Sequence, residues 1–190
     1  LAGIKENMKV ILIGYRATGK STVGTLLSAK LKIPFEDTDT LVEKIMGMPI
    51  KEIVALHGWD FFRAKEKEAV LTLTQEGAGV IATGGGVVLD KENINLLKQK
   101  GVIVWLNAPL HDIINRLSKD AQGAAIRPQF TDWNIVQETI DTLKQRIPLY
   151  EKAANYTVDT ADKSAADVAT EIYQYLVESG KLIKIIKSKK

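Results

Sequence analysis

Gly14-Tyr15-Arg16-Ala17-Thr18-Gly19-Lys20-Ser21-Thr22 fits the spacing G-x-x-x-x-G-K-[ST], and what flanks it fits as well. The apolar run Met8-Lys9-Val10-Ile11-Leu12-Ile13 before it predicts a buried strand, and Thr22 to Lys30 after it predict a helix. Glycines let the backbone wrap tightly, so that successive N–H groups converge on an anion, and the helix adds its positive end to the same spot. Gly14, Ala17, Thr18, Gly19, Lys20, Ser21 and Thr22 are therefore the candidate phosphate contacts. Lys20 would reach the β- and γ-phosphates, and the Ser21 hydroxyl would sit on a Mg²⁺ ion. The chain is expected to bind a nucleoside triphosphate.

Outward from this loop, apolar runs alternate with helical patterns, the mark of an α/β protein with a parallel sheet. Strands are expected at Ile33–Asp37, Gly79–Thr83, Val102–Leu106 and Tyr156–Val158. Helices are expected at Thr40–Met46 (closed by Gly47), at Trp59–Gln75, at Lys91–Lys100, after Pro109, at Trp133–Lys152 and at Ala165–Ser179, with another turn or helix from Pro49 to Gly58. Gly101 reads as a C-terminal cap, Pro148 as a bend or break, and Gly180 as the cap of the last helix. The stretch 118–131 has no clear periodicity, and a loop that long in a compact domain is usually functional or disordered. Residues 181–190 form a basic, partly apolar tail, and nothing divides residues 1–190 into two domains.

Composition limits the function. The chain has 190 residues, 45% hydrophobic and 26% charged, with a formal net charge of +3. That charge is too small to argue for nucleic acid as a partner. There is no cysteine and there are only two histidines, which excludes disulfides, thiolate sites and a zinc site of the usual kind. No apolar run reaches the roughly 18–20 residues that span a membrane, and the first residues lack the apolar core of a signal peptide. The cytoplasm is the expected location.

Chemistry-bearing residues cluster where the strands should end. Ligands of open α/β sheets bind beyond the strand C-termini. Asp37 and Asp39, two apart on an extended segment, should face that crevice together. Asp37 could hold Mg²⁺, and Asp39 could accept the proton of an attacking hydroxyl; equally, Asp39 could simply cap the helix at Thr40. Arg63 follows two phenylalanines, with Glu66 one turn on, either to grip an anion or as a solvated pair. Arg127 lies in the aperiodic loop, where a cation could cover transferring phosphates. Arg146 precedes Ile147-Pro148-Leu149-Tyr150, and guanidinium groups match carboxylates with two donors. Gly84-Gly85-Gly86 lets a ligand approach the backbone, unless it is a plain loop.

In their order and spacing these pieces resemble a shikimate kinase, of the nucleoside-monophosphate-kinase-like branch of phosphate-loop proteins, from Met8 to about Ser179. The resemblance implies a P-loop NTPase three-layer sandwich whose five-stranded parallel sheet has the order 2-3-1-4-5. It also implies a substrate-binding insertion at about 38–66 and a lid at about 118–133. It makes Asp39 the base, with Lys20 and Arg127 stabilising the phosphoryl group. Arg63 and Arg146 would grip the shikimate carboxylate, Glu66 would steady Arg63, and Gly84, Gly85 and Gly86 would supply backbone contacts. Val54 and Phe62 would wall the pocket, Ser21 and Asp37 would serve Mg²⁺, and Arg116 would lie against adenine. The adenine loop departs from the family pattern: Lys163 takes the place of its basic residue and there is no proline. ATP and shikimate are the implied substrates, with no nucleic-acid or membrane partner, and a monomer is expected. The alternatives are a gluconate-kinase-like sugar-acid kinase and a non-catalytic shikimate-binding sensor. A sensor could dispense with Lys20, Asp37 or Asp39, all of which this chain keeps.

Overall fold

The computed structural model describes residues 8–119 and 135–182. Its five strands are β1 (Lys9–Ile13), β2 (Phe35–Asp37), β3 (Val80–Ala82), β4 (Gly101–Asn107) and β5 (Tyr156–Asp159). All neighbouring strands run parallel, in the order β2-β3-β1-β4-β5. The described helices are α1 (Lys20–Leu31), α2 (Thr38–Met46), α3 (Ile50–Gln75), α4 (Lys91–Lys100), α5 (Leu110–Lys119), α6 (Ile135–Ala153) and α7 (Ala165–Glu178).

Alternation along the central strands sorts these helices into two layers. Val10 and Leu12 of β1 and Val102, Val104 and Leu106 of β4 join one apolar cluster with Val23 and Leu27 of α1 and Ile172 and Leu176 of α7. The intervening Ile11, Ile13, Ile103 and Trp105 join another with Val70 of α3, Leu97 of α4 and Tyr150 of α6. A strand buried on both faces reads as one unbroken apolar run, which is how β1 and β4 look in the sequence. A third cluster, with Val42, Ile50, Ile53, Phe62 and Ala69, binds α2 to α3.

Several local expectations change. The helix α2 begins at Thr38, so its N-cap is Asp37 and not Asp39; the Asp37 carboxylate accepts from the Asp39 and Thr40 amides. Gly101 does cap α4, its N–H donating to the Leu97 carbonyl, but in extended backbone, and it opens β4. A side chain there would still be rejected, because its Cβ would lie 2.2 Å from the Lys9 carbonyl oxygen. The helix α6 is not broken at Pro148 but continues through it, without the hydrogen bond that residue would have donated. The expected division at Gly58 stands as a kink (φ 82°, ψ 171°) inside α3. Gly180 follows the last helix with φ 67°. Arg127, most of the expected lid and the tail beyond residue 182 lie outside the described residues.

Candidate active site

The phosphate loop joins β1 to α1. Gly14, Ala17 and Gly19 all take positive φ, at 145°, 61° and 89°. This coil is fastened from inside: the Thr18 hydroxyl donates to the Tyr15 carbonyl at 2.8 Å and Lys20 Nζ donates to the same oxygen at 2.7 Å. The α1 N-terminus has no side-chain cap and no acidic residue in its first turn, so its amides remain directed at the loop's concavity.

Beside the loop, Ser21 Oγ donates to Asp37 Oδ2 at 2.8 Å. The other Asp37 oxygen is taken by the α2 amides, so capping fixes the carboxylate and leaves one oxygen paired with the hydroxyl. A hydroxyl and a carboxylate oxygen side by side at a phosphate loop are the hard donors that Mg²⁺ accepts, and this pair fits the ion.

On the other side of the loop is a cleft of about 460 Å³ lined by Tyr15, Arg16, Asp39, Ile50, Trp59, Phe62, Arg63, Glu66, Gly84, Gly85, Gly86 and Arg146. The sequence reasoning named eight of these twelve. It missed Tyr15 and Arg16, variable positions of the loop pattern, and Ile50 and Trp59, which look like ordinary core in an apolar helix. Val54, expected as a wall, is not among the lining residues; it packs in the α2–α3 cluster, and Ile50, one turn earlier, lines the cleft.

The triple glycine is the hub of this cleft. A Cβ on Gly84 would lie 2.5 Å from both Asp39 Oδ1 and Glu66 Oε1, which therefore flank the same point. The Gly85 carbonyl accepts from Arg146 Nη1 at 3.1 Å and from the Tyr150 hydroxyl at 2.6 Å. A Cβ on Gly86 would lie 2.2 Å from Arg63 Nη2, and one on Gly85 would be 3.4 Å from the Gly14 carbonyl oxygen. The phosphate loop and the guanidinium groups are thus brought together across three residues that have no side chains.

Arg63 donates to Glu66 Oε2 at 2.7 Å and lies over the Phe62 and Trp59 rings. Glu66 is buried, and its Oε1 has no hydrogen-bond partner among the described residues. Burial raises its pKa above the ordinary value and the Asp39 charge adds to this, while Arg63 and Arg146 pull it down. Burial likewise pushes the Tyr150 phenol up to about 12, so it remains a donor.

A second cleft, of about 550 Å³, lies along the other flank of the loop and is lined by Ala17, Thr18, Gly19, Thr22, Val23, Arg116, Thr160, Lys163, Ala165 and Val168. Arg116 donates to the Ala17 carbonyl at 3.3 Å, and Lys163 pairs with Glu171 at 2.6 Å. The two cations expected near adenine therefore share one cavity next to the phosphate loop. Thr160, also at this cleft, was missed; it lies just beyond the end of β5.

The family model for shikimate kinase matches residues 16–177. A shikimate kinase of Syntrophus aciditrophicus is 40% identical over 175 residues, covering 88% of this chain and 90% of that protein. One from Nitratidesulfovibrio vulgaris is 39% identical over 174 residues, covering 92% and 98%. Among solved structures, shikimate kinase from Acinetobacter baumannii in complex with shikimate superposes with a TM-score of 0.85 at 34% identity, covering 91% of this chain and 94% of that one. A gluconokinase from Sinorhizobium meliloti shares only the fold, at 12% identity and a TM-score of 0.56.

Proposed function

The chain belongs to the shikimate kinase family and is an ATP-dependent shikimate kinase, and from that premise we propose how its own residues divide the reaction. The γ-phosphate of ATP passes to the 3-hydroxyl of shikimate, giving shikimate 3-phosphate and ADP, a step toward chorismate and the aromatic amino acids. The observation that carries the assignment of roles is the meeting of Asp39, Glu66, Arg63 and Arg146 around Gly84–Gly86, in contact with the phosphate loop.

Arg63 and Arg146 bind the shikimate carboxylate, each offering two N–H donors to it. Asp39 accepts hydrogen bonds from the ring hydroxyls and takes the proton of the attacking one. Glu66 steadies Arg63, and its unpartnered oxygen turns towards the bound acid. Ile50, Trp59 and Phe62 cover the carbocycle and exclude water. On the nucleotide side the loop amides and Lys20 bind phosphate oxygens, and Arg116 and Lys163 flank the base. Ser21 and Asp37 would hold Mg²⁺, which when bound neutralises charge on the β- and γ-phosphates. Arg127, outside the described residues, is assigned to the transferring phosphoryl group on the resemblance alone. We assign these roles to a single monomeric kinase domain working in the cytoplasm; among the described residues no helix is long and apolar enough to cross a membrane.

The test is ADP release with ATP and Mg²⁺, offering shikimate, gluconate or no acceptor in parallel. Release that depends on shikimate is expected, and Asp39→Asn should lower kcat by about 10²–10⁴ while ATP binding persists, the range for losing a general base. Turnover with gluconate alone would move the substrate. Binding without turnover would favour a sensor, and an unimpaired Asp39→Asn enzyme would remove Asp39 from the role of base.

A further inference from the structure

The phosphate-loop pattern leaves position 16 free, yet this chain places there an arginine whose side chain is 11% exposed. Its Nη2 donates to Glu138 Oε1 at 3.1 Å, and the Glu138 side chain is 1% exposed. Arg16 Nε is buried and has no hydrogen-bond partner among the described residues, so the guanidinium is committed to this contact at the cost of its hydration. Replacing a buried ion pair by apolar side chains is often neutral or stabilising, so stability alone is a poor account of why one stands here.

Its geometry supplies a better one. Glu138 is in the first turn of α6, and Arg146 stands eight residues later on the same helix, about two turns on and on the same face. Arg146 and Tyr150 are tied to the Gly85 carbonyl, and a Cβ on Gly85 would lie 3.5 Å from the Arg16 amide nitrogen. Hydrogen bonds therefore run from the Arg16 side chain to Glu138 and, through α6, from Arg146 to Gly85, which lies close to the Arg16 backbone. We propose that Arg16 is a positioning residue for the acid substrate: its ion pair with Glu138 fixes the helix that presents Arg146 to the carboxylate. The inference rests on the reading of Arg146 as half of the carboxylate clamp.

The experiment measures shikimate and ADP dissociation constants by calorimetry, with Michaelis constants alongside, for Arg16→Met, Glu138→Met, Glu138→Gln and Arg146→Ala. Arg16→Met and Glu138→Met should each raise the shikimate constant about tenfold while the ADP constant stays within about threefold, since the phosphate contacts of the loop come from its backbone and Lys20. Glu138→Gln, which keeps an acceptor for Arg16, should recover most of the affinity. Arg16→Lys retains a buried cation and serves if Arg16→Met fails to fold; lacking the planar fork, it should still weaken shikimate binding several-fold. A shikimate constant unchanged in Arg16→Met, or in Arg16→Lys where only that folds, would overturn the proposal. So would equal losses for both ligands, the sign of a merely structural pair. Loss in Arg16→Met with none in Glu138→Met would overturn it too, making Arg16 a direct contact. If Arg146→Ala also binds shikimate normally, the clamp reading itself fails; if only Arg146→Ala is impaired, the clamp stands and the positioning role falls.

Discussion

Replacing Gly86 by alanine should separate the acid site from the fold. Gly86 has φ −97° and ψ −2°, a conformation open to alanine, so the backbone resists nothing. The new methyl group would meet Arg63, at 2.2 Å from Nη2 and 2.4 Å from both Cζ and Nη1. These are the tip atoms of a flexible side chain, and reaching van der Waals distance requires the guanidinium to move by roughly 1 Å. That displacement pulls Arg63 off the carboxylate position and loosens its 2.7 Å bond to Glu66.

A hydrogen bond to a charged group contributes about 1.5–3 kcal/mol. At about 1.4 kcal/mol per decade, losing one raises the shikimate KM about 10- to 150-fold. Stability should change little, because the weakened Arg63–Glu66 pair is opposed by the roughly 0.4–1 kcal/mol gained when a glycine leaves the unfolded chain. Coupled ADP-release kinetics with each substrate varied in turn, and thermal melts, read both quantities. A shikimate KM within twofold of the parent, or an ATP KM that climbs with it, would refute the reasoning. A melting temperature lower by tens of degrees would mean that the backbone, and not Arg63, had to give way.

Three further outcomes follow from the same geometry. Tyr150→Phe loses the 2.6 Å bond to the Gly85 carbonyl, costing about 1 kcal/mol near pH 8. Because burial raises the folded phenol to about 12 while the unfolded one titrates near 10.0, the parent loses stability as pH climbs through that window, by a few kcal/mol in all. Denaturant titrations at pH 8 and pH 11.5 should therefore find the gap between the two proteins closing or reversing, and a constant gap would contradict the burial argument. Glu66→Gln removes a carboxylate whose pKa burial has raised, so its stability relative to the parent should improve as pH rises from 4.5, while the shikimate KM increases; a relative stability that falls with pH would reverse the sign. Ala17→Gly relieves a left-handed alanine at φ 61°, worth about 1–2 kcal/mol, against the entropy glycine adds to the unfolded chain. A small rise in melting temperature with unchanged ATP binding is expected, and a fall would show that the loop gains from the alanine methyl.

The sheet was legible because β1 and β4 are buried on both faces and give continuous apolar runs, and because the phosphate loop fixes which strand is central. Where chain direction depends on one or two hydrogen bonds, the reading slipped. The Asp37-Thr38-Asp39 segment offers two carboxylates that can each cap a helix, and no periodicity decides between them. In the fold Asp37 does so, and the 2.8 Å bond from Ser21 reaches its second oxygen, so one carboxylate both starts α2 and pairs with the hydroxyl of the phosphate loop. Capping and function, set against each other at Asp39, meet at Asp37 and leave Asp39 turned towards the cleft.

In the cleft lined by Gly84–Gly86, the lining residues that the sequence singled out were those whose chemistry is costly elsewhere: arginines in apolar surroundings and three glycines in succession. Arg16 escaped because the loop pattern accepts any residue there, and its partner Glu138 is 122 positions away. Ile50 and Trp59 escaped because an apolar cleft wall and a helix core have the same composition. Only a three-dimensional arrangement distinguishes them, and here that arrangement depends on the missing side chains of residues 84–86. Asp39 and Glu66 occupy the space a Cβ on Gly84 would fill, and Arg63 the space of one on Gly86. Gly84 and Gly86 are therefore what allow two arginines and two carboxylates to meet in one cleft beside the phosphate loop, and a Cβ at either is expected to be felt in acid binding before it is felt in the fold.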